Sequence, residues 1–327
     1  MTTRRFFSCL ALALGVILVF NILIALRVDS VPKLVMREMR ATPRIDILLL
    51  GSSIVEYGFD KHAFASAWPA PNPVPPFFDA AMSASSPVEH YLLGRDAYLH
   101  HEHIHCLVYG FYDQNLTDPP DYSWTKLTGN KAMGYSPEFA TLAASLYAPG
   151  SVWQKWRFNL IGLIPMLREH SQLWKYIELF RRQLKQIGMP AQKLDLMGRV
   201  PNFDVYPFPN IDQFSRDCEE AAQRAEPFIP PVENMIQLAR KNNSQVFIVE
   251  MPMISDHRNR LYATQAWKDY RAYLQQHCAA EGATYVNASD WVPDDANFND
   301  NLHLNPDGAK IFSAKMAEYL FASWQGN

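Results

Sequence analysis

The chain has 327 residues, a formal net charge of −3 at pH 7, and 48% hydrophobic against 19% charged residues. That balance, with no basic stripe and no interleaving of aromatic and basic residues, excludes a nucleic-acid binder, and the length suits one large domain with a sizeable core. Of four cysteines, Cys9 falls in an apolar N-terminal stretch. Cys106, Cys218 and Cys278 follow no regular spacing and make no disulfide framework, with only a Cys218–Cys278 pair open to an oxidising compartment.

Residues 6–26 are continuously apolar except for Ser8, Cys9, Gly15 and Asn21, and their number suits a hydrocarbon core of about 30 Å at about 1.5 Å per residue. Arg4 and Arg5 stand before the stretch and by the positive-inside rule hold the N-terminus in the cytoplasm. A cleaved signal peptide is the rival reading, but its apolar region is shorter and no Ala-x-Ala site precedes Arg27. Cys9 lacks the surroundings of a lipoprotein box. The expected organisation is a cytoplasmic tip and membrane anchor over 1–27, a juxtamembrane linker over 28–44 with room for a helix, and an extracytoplasmic domain over 45–327.

Strands are predicted at 45–50, 77–80, 104–110, 245–251 and 284–287, and helices near 60–67, 87–100, 212–241, 262–280 and 307–323. The runs at 45–50 and 245–251 are apolar enough for strands buried on both faces, and the βαβ rhythm implies a parallel sheet in an α/β fold with right-handed crossovers. An insertion over 119–211 exceeds what a crossover needs. It holds Trp124, Trp153, Trp156 and Trp174 and two amphipathic patterns, 137–146 and 173–187. It reads either as a helical side layer or as a cap over a substrate groove, and its stretch 158–167 is apolar enough to touch lipid but too short to span it.

Two segments almost 250 residues apart carry the chemistry. After the first strand, Leu50-Gly51-Ser52-Ser53 makes a tight turn that can lift a serine hydroxyl above the strand's carboxyl end, where open α/β sheets place their sites. Near the far end, Asp300-Asn301-Leu302-His303-Leu304-Asn305-Pro306-Asp307-Gly308 sets an Asp three residues before a His, so one loop can hold a base and the acid that orients it. Each half alone has a plainer reading. Gly51-Ser52-Ser53 could be an ordinary turn with a serine helix cap, and 300–308 a helix entry with Asn305 as cap and Pro306 in the first turn.

Together, and in this order, the two motifs resemble the SGNH/GDSL hydrolase superfamily, in the Gly-Ser-Ser variant seen in membrane-anchored proteins that modify cell-surface polysaccharides and teichoic acids. The resemblance implies a flavodoxin-like three-layer sandwich with Ser53 as nucleophile, His303 as base and Asp300 as orienting acid. It implies an oxyanion hole from the Ser53 backbone, Ala84 in the second block (77–86), and a side chain of the third block. Asn115 is the choice there, with Gln114 and Asp113 close enough to leave the register open. The implied activity is that of an extracytoplasmic serine ester hydrolase or O-acyltransferase on an exported glycan. It needs no cofactor and no metal, and its partners are the acylated or acceptor glycan and a polytopic membrane-bound O-acyltransferase. Rival readings are a non-catalytic scaffold on the same fold, and a lysophospholipase or thioesterase. His100, His101, His103 and His105 crowd together without an acidic or Cys partner at ligand spacing, and His62, His90, His170, His257 and His277 read as surface or packing residues.

Overall fold

The computed structural model describes residues 3–27, 31–83, 85–117, 152–153, 156, 160, 164–168 and 208–324. The helices expected at 137–146 and 173–187 and most of the 119–211 insertion lie outside the described residues. The chain divides into two compact units, one of residues 1–35 with 121–199, the other of 36–120 with 200–327.

In the first unit, α1 (Thr3–Arg27) is long and apolar enough to cross a membrane, and a short helix, α6 (Pro165–Arg168), packs against it. The linker contains a second helix, α2 (Val31–Ala41).

The second unit is a five-stranded parallel sheet in the order β2-β1-β3-β4-β5, with β1 at Ile47–Leu50, β2 at Phe77–Asp79, β3 at Cys106–Phe111, β4 at Gln245–Glu250 and β5 at Thr284–Asn287. This is the doubly wound, flavodoxin-like arrangement expected from the motifs. Every residue of β1 and β3 is buried, which is why both read as unbroken apolar runs rather than alternating ones. Each fully buried Leu or Ile side chain, such as Ile47, Leu48 and Leu50, contributes on the order of 2 kcal/mol.

Helices cover both faces. On one, α10 (Pro306–Trp324) packs on α3 (Ser53–Gly58) and α4 (Lys61–Ala67); elsewhere α5 (Pro87–His100) packs on α8 (Pro230–Lys241), and α9 (Gln265–Ala280) lies against β5 and α7 (Ile211–Arg224). Their starts have local causes. Asp60 accepts the Ala63 N–H at α4, the Ser86 N–H is met by Glu89 at α5 with Pro87 in the first turn, and the Thr264 hydroxyl caps α9.

Two predicted helices are corrected. The single helix expected over 212–241 is two, because Ala225 ends α7 in a left-handed conformation (φ 49°) and Pro230, lacking an N–H, opens α8. The helix expected from 262 begins at Gln265, preceded by a five-residue π-helix, Arg258–Tyr262.

Candidate active site

In the strand order β2-β1-β3 the connections leave β1 in opposite directions, opening a crevice at the carboxyl ends of β1 and β3. The turn after β1 passes close under its neighbours. A Cβ on Gly51 would stand 2.3 Å from Val55 Cγ2 and 3.2 Å from the Gly110 carbonyl, so only glycine fits. Ser52 then caps α3, its carbonyl accepting the Val55 and Glu56 N–H groups, and Ser53 is the first helical residue.

The second half comes from the loop before α10. Phe298 and Leu304 pair in an antiparallel bridge, the Asn299 N–H donates to the His303 carbonyl, and the Asn305 side chain caps α10 through the Asp307 and Gly308 N–H groups. Gly308 is fitted against the Asn297 carbonyl, 2.2 Å from where a Cβ would sit. The plainer reading of 300–308 as a capped helix entry is therefore correct in itself, and the same loop presents its side chains to Ser53. His303 Nε2 lies 2.8 Å from Ser53 Oγ, and His303 Nδ1 lies 2.8 Å from Asp300 Oδ2. Asp300 Oδ1 accepts the backbone N–H groups of Leu302 and His303, both at 2.7 Å. Since an ionised carboxylate only accepts, Nδ1 carries the imidazole proton and Nε2 is the acceptor for the serine hydroxyl. The side chains of His303 and Asp300 are almost wholly buried, and Tyr57 meets the imidazole edge-on at 5.6 Å.

The structure separates the third-block candidates. Asp113, at φ 50°, accepts hydrogen bonds from Tyr262 Oη (2.9 Å) and His257 Nε2 (2.7 Å). Gln114 donates to the Phe214 carbonyl and to Cys218 Sγ. Asn115 is exposed, with its backbone N–H turned to the Tyr112 carbonyl. All three line a cleft of about 410 Å³ that also touches Asn301 and Leu302, the residues between Asp300 and His303. Ala84, the second-block candidate, lies outside the described residues.

Two groupings were not foreseen. His257, expected to be a surface or packing residue, is buried and lines the cleft with Asp113, which Tyr262 also holds. His90 sits in a second serine–histidine chain: its Nε2 is 2.7 Å from Ser85 Oγ and its Nδ1 3.2 Å from Tyr109 Oη. Because Ser85 Oγ donates to the Met82 carbonyl at 2.5 Å, His90 Nε2 donates to Ser85 and Nδ1 accepts from Tyr109. Burial pushes the His90 imidazole down to about 3, so it is neutral. No sequence signal distinguished this histidine, since Ser85 lies five residues before it at no motif spacing and Tyr109 comes from β3.

Cys218 and Cys278 are free buried thiols. Among the described residues one His–carboxylate group, Glu233, His277 and Glu281, has ligand atoms within 4.8 Å of one another. There Glu233 Oε1 is already occupied by the Phe228 N–H and His277 Nε2, which makes it a helix-entry brace. Of the crowded histidines, His100 turns to the Asp96 carbonyl, His101 to the Met39 carbonyl, and His103 stacks on His105.

No protein-family description matches the chain, and no curated protein sequence matches it. Among solved structures, it is similar to a provisionally assigned acylhydrolase from Bacteroides fragilis, at 9% identity and TM-score 0.42, covering 91% of this chain and 99% of that one. It is similar also to a GDSL-like lipase from Bacteroides thetaiotaomicron, at 10% identity and TM-score 0.39, covering 90% and 98%. The sheet order places Ser53 after the first strand, and Asp300 and His303 stand before the last helix.

Proposed function

We propose that this chain is a membrane-anchored serine ester hydrolase or O-acyltransferase acting outside the cytoplasm on an acylated, hydroxyl-rich glycan of neutral charge. The observation that carries the reading is the unbroken chain from Ser53 Oγ through His303 to Asp300, with both links at 2.8 Å.

In this mechanism Ser53 Oγ attacks the acyl carbonyl while His303 Nε2 takes its proton, and the imidazolium so formed faces the Asp300 carboxylate. The oxyanion is met by the Ser53 backbone N–H, the Ala84 backbone N–H and the Asn115 side chain, the one third-block candidate without an internal side-chain partner among the described residues. Collapse breaks the ester bond and His303 returns the proton to the leaving alcohol, leaving acyl-Ser53. Water or a sugar hydroxyl, deprotonated by His303, then attacks the acyl-enzyme and regenerates Ser53. Hydrolysis and transfer differ only in that second acceptor.

The cleft beside the triad supports a polar acceptor. Its side chains include Asn115, Asn210, Gln213 and Asn301, its carboxylates are Asp113 and Asp217, and no Lys or Arg lines it among the described residues. That surface offers hydrogen bonds to hydroxyl groups and repels phosphate or carboxylate, and the apolar faces of Tyr112, Pro209, Phe214 and Leu302 beside them suit the flat faces of a sugar ring. The α1 helix, with Arg4 and Arg5 ahead of its apolar stretch, supports anchoring with the N-terminus in the cytoplasm.

The test uses the full chain in detergent with short- and long-acyl aryl esters and with O-acetylated neutral and anionic polysaccharides. The expected result is turnover of the short acyl ester and acetate release from the neutral polymer, both lost in Ser53→Ala. Preference for the long acyl chain contradicts the glycan reading, and glycan binding without turnover makes the protein a scaffold.

A further inference from the structure

The first unit holds a polar contact in an unexpected place. Among the described side chains of α1, residues 5–26, only Asn21 and Ile24 are buried. Asn21 Nδ2 donates to the Ile17 carbonyl at 2.8 Å, and Oδ1 accepts the Met166 N–H at 2.9 Å. Met166 is in the first turn of α6, so its N–H has no partner within that helix, and Asn21 caps it from a distant part of the chain. Both hydrogen-bonding ends of an amide that would otherwise face hydrocarbon are thus satisfied. Asn21 stands five residues before Leu26, so this contact lies about 7 Å inside the C-terminal end of the apolar stretch.

Several of the described residues before and in α6 are apolar and outward-facing. Val152, Trp153, Trp156 and Leu160 are helical and exposed, Trp153 by 67%, and Leu167 is exposed as well. Trp153 and Trp156 stack at 4.9 Å with a 19° interplanar angle. Positions 153, 156 and 160 follow helical spacing and form one stripe. A stripe of tryptophan and aliphatic side chains facing outward, in a segment tied to α1 just below the membrane surface, has the composition of an interfacial aromatic belt.

We propose that Val152, Trp153, Trp156, Leu160 and Leu167 lie in the bilayer interface at the C-terminal end of α1 and contact lipid directly, with Asn21 as the lock that holds α6 at that depth. This rests on α1 spanning the bilayer. The chain then meets the membrane twice, through the span and through a shallow second contact.

The test reconstitutes the full chain into phosphatidylcholine vesicles, plain or brominated near the ester end of the acyl chains, and reads tryptophan fluorescence. No tryptophan lies in α1. The expected result is that bromine quenches the wild-type emission and that about half or more of this quenching is lost in Trp153→Gln/Trp156→Gln. Asn21→Leu, which keeps both tryptophans, is expected to reduce quenching too. Equal quenching in wild type and the double variant overturns the proposal. So does an unquenched wild type that alkaline carbonate fails to strip from the vesicles, which assigns the stripe to a protein partner. Release of the wild type by carbonate overturns the span itself, a separate failure read in the same samples.

Discussion

At the carboxyl end of one sheet, two serines meet a histidine Nε2 at almost the same distance, Ser53 with His303 at 2.8 Å and Ser85 with His90 at 2.7 Å. The third members differ. His303 Nδ1 donates to a carboxylate, whereas His90 Nδ1 accepts from the phenol of Tyr109. A proton taken from Ser53 leaves an imidazolium beside a negative charge, while one taken from Ser85 would leave it fully buried beside a neutral group, with the imidazole already held down to about 3. The direction of the hydrogen bonds follows. Ser53 donates to its histidine; Ser85 accepts from its own and spends its proton on the Met82 carbonyl. A serine–histidine contact is therefore not by itself an activated serine, and the group behind the imidazole decides.

The comparison is broken most sharply by removing each serine. Ser53→Ala is expected to lower kcat on the order of 10⁴-fold or more, and Ser85→Ala to leave turnover within about tenfold while lowering the melting temperature. Steady-state ester hydrolysis and thermal melts on both variants check this. Next, Asp300→Asn keeps the shape but removes the charge that stabilises the imidazolium and the tautomer, and about a 10⁴-fold loss in kcat at unchanged KM is expected. Asn115→Ala, which removes a proposed oxyanion donor, is expected to cost about 100-fold in kcat. A loss confined to KM would make Asn115 a cleft residue only.

The smallest effect concerns pH. His90 is neutral when folded down to about 3 but titrates near 6.5 when unfolded, so between those values the unfolded chain binds more protons and stability rises with pH. Its contribution is complete above about 6.5, and about 2 kcal/mol is expected to be lost on going down to pH 5. Urea midpoints at both pH values measure this, and His90→Gln is expected to flatten the difference. An unchanged slope in that variant would mean that His90 is hydrated in the native state.

What was legible in the sequence was local. The strand 284–287 and the helix 87–100 were read at their observed bounds, the latter because Ser86, Pro87 and Glu89 mark its start within four residues. Asp300, His303 and Asn305 were legible because one short loop contains them, and Ser53 because a tight Gly51 turn must follow a buried strand. The break at 225–229 was hidden by an amphipathic pattern that runs on through two helices. The Asp113–His257–Tyr262 and Ser85–His90–Tyr109 groups were hidden for another reason. Their members are joined by strand register and helix docking, as with Asp113 and Tyr262, 149 residues apart, and no spacing rule in the chain encodes that.

The most direct test of the difference between the two serines is to label the full chain with a fluorophosphonate and map the adduct by peptide mass. The account predicts one adduct, on Ser53, absent from Ser53→Ala and His303→Ala and unchanged in Ser85→Ala. An adduct on Ser85, or none on a well-folded wild type, would contradict it.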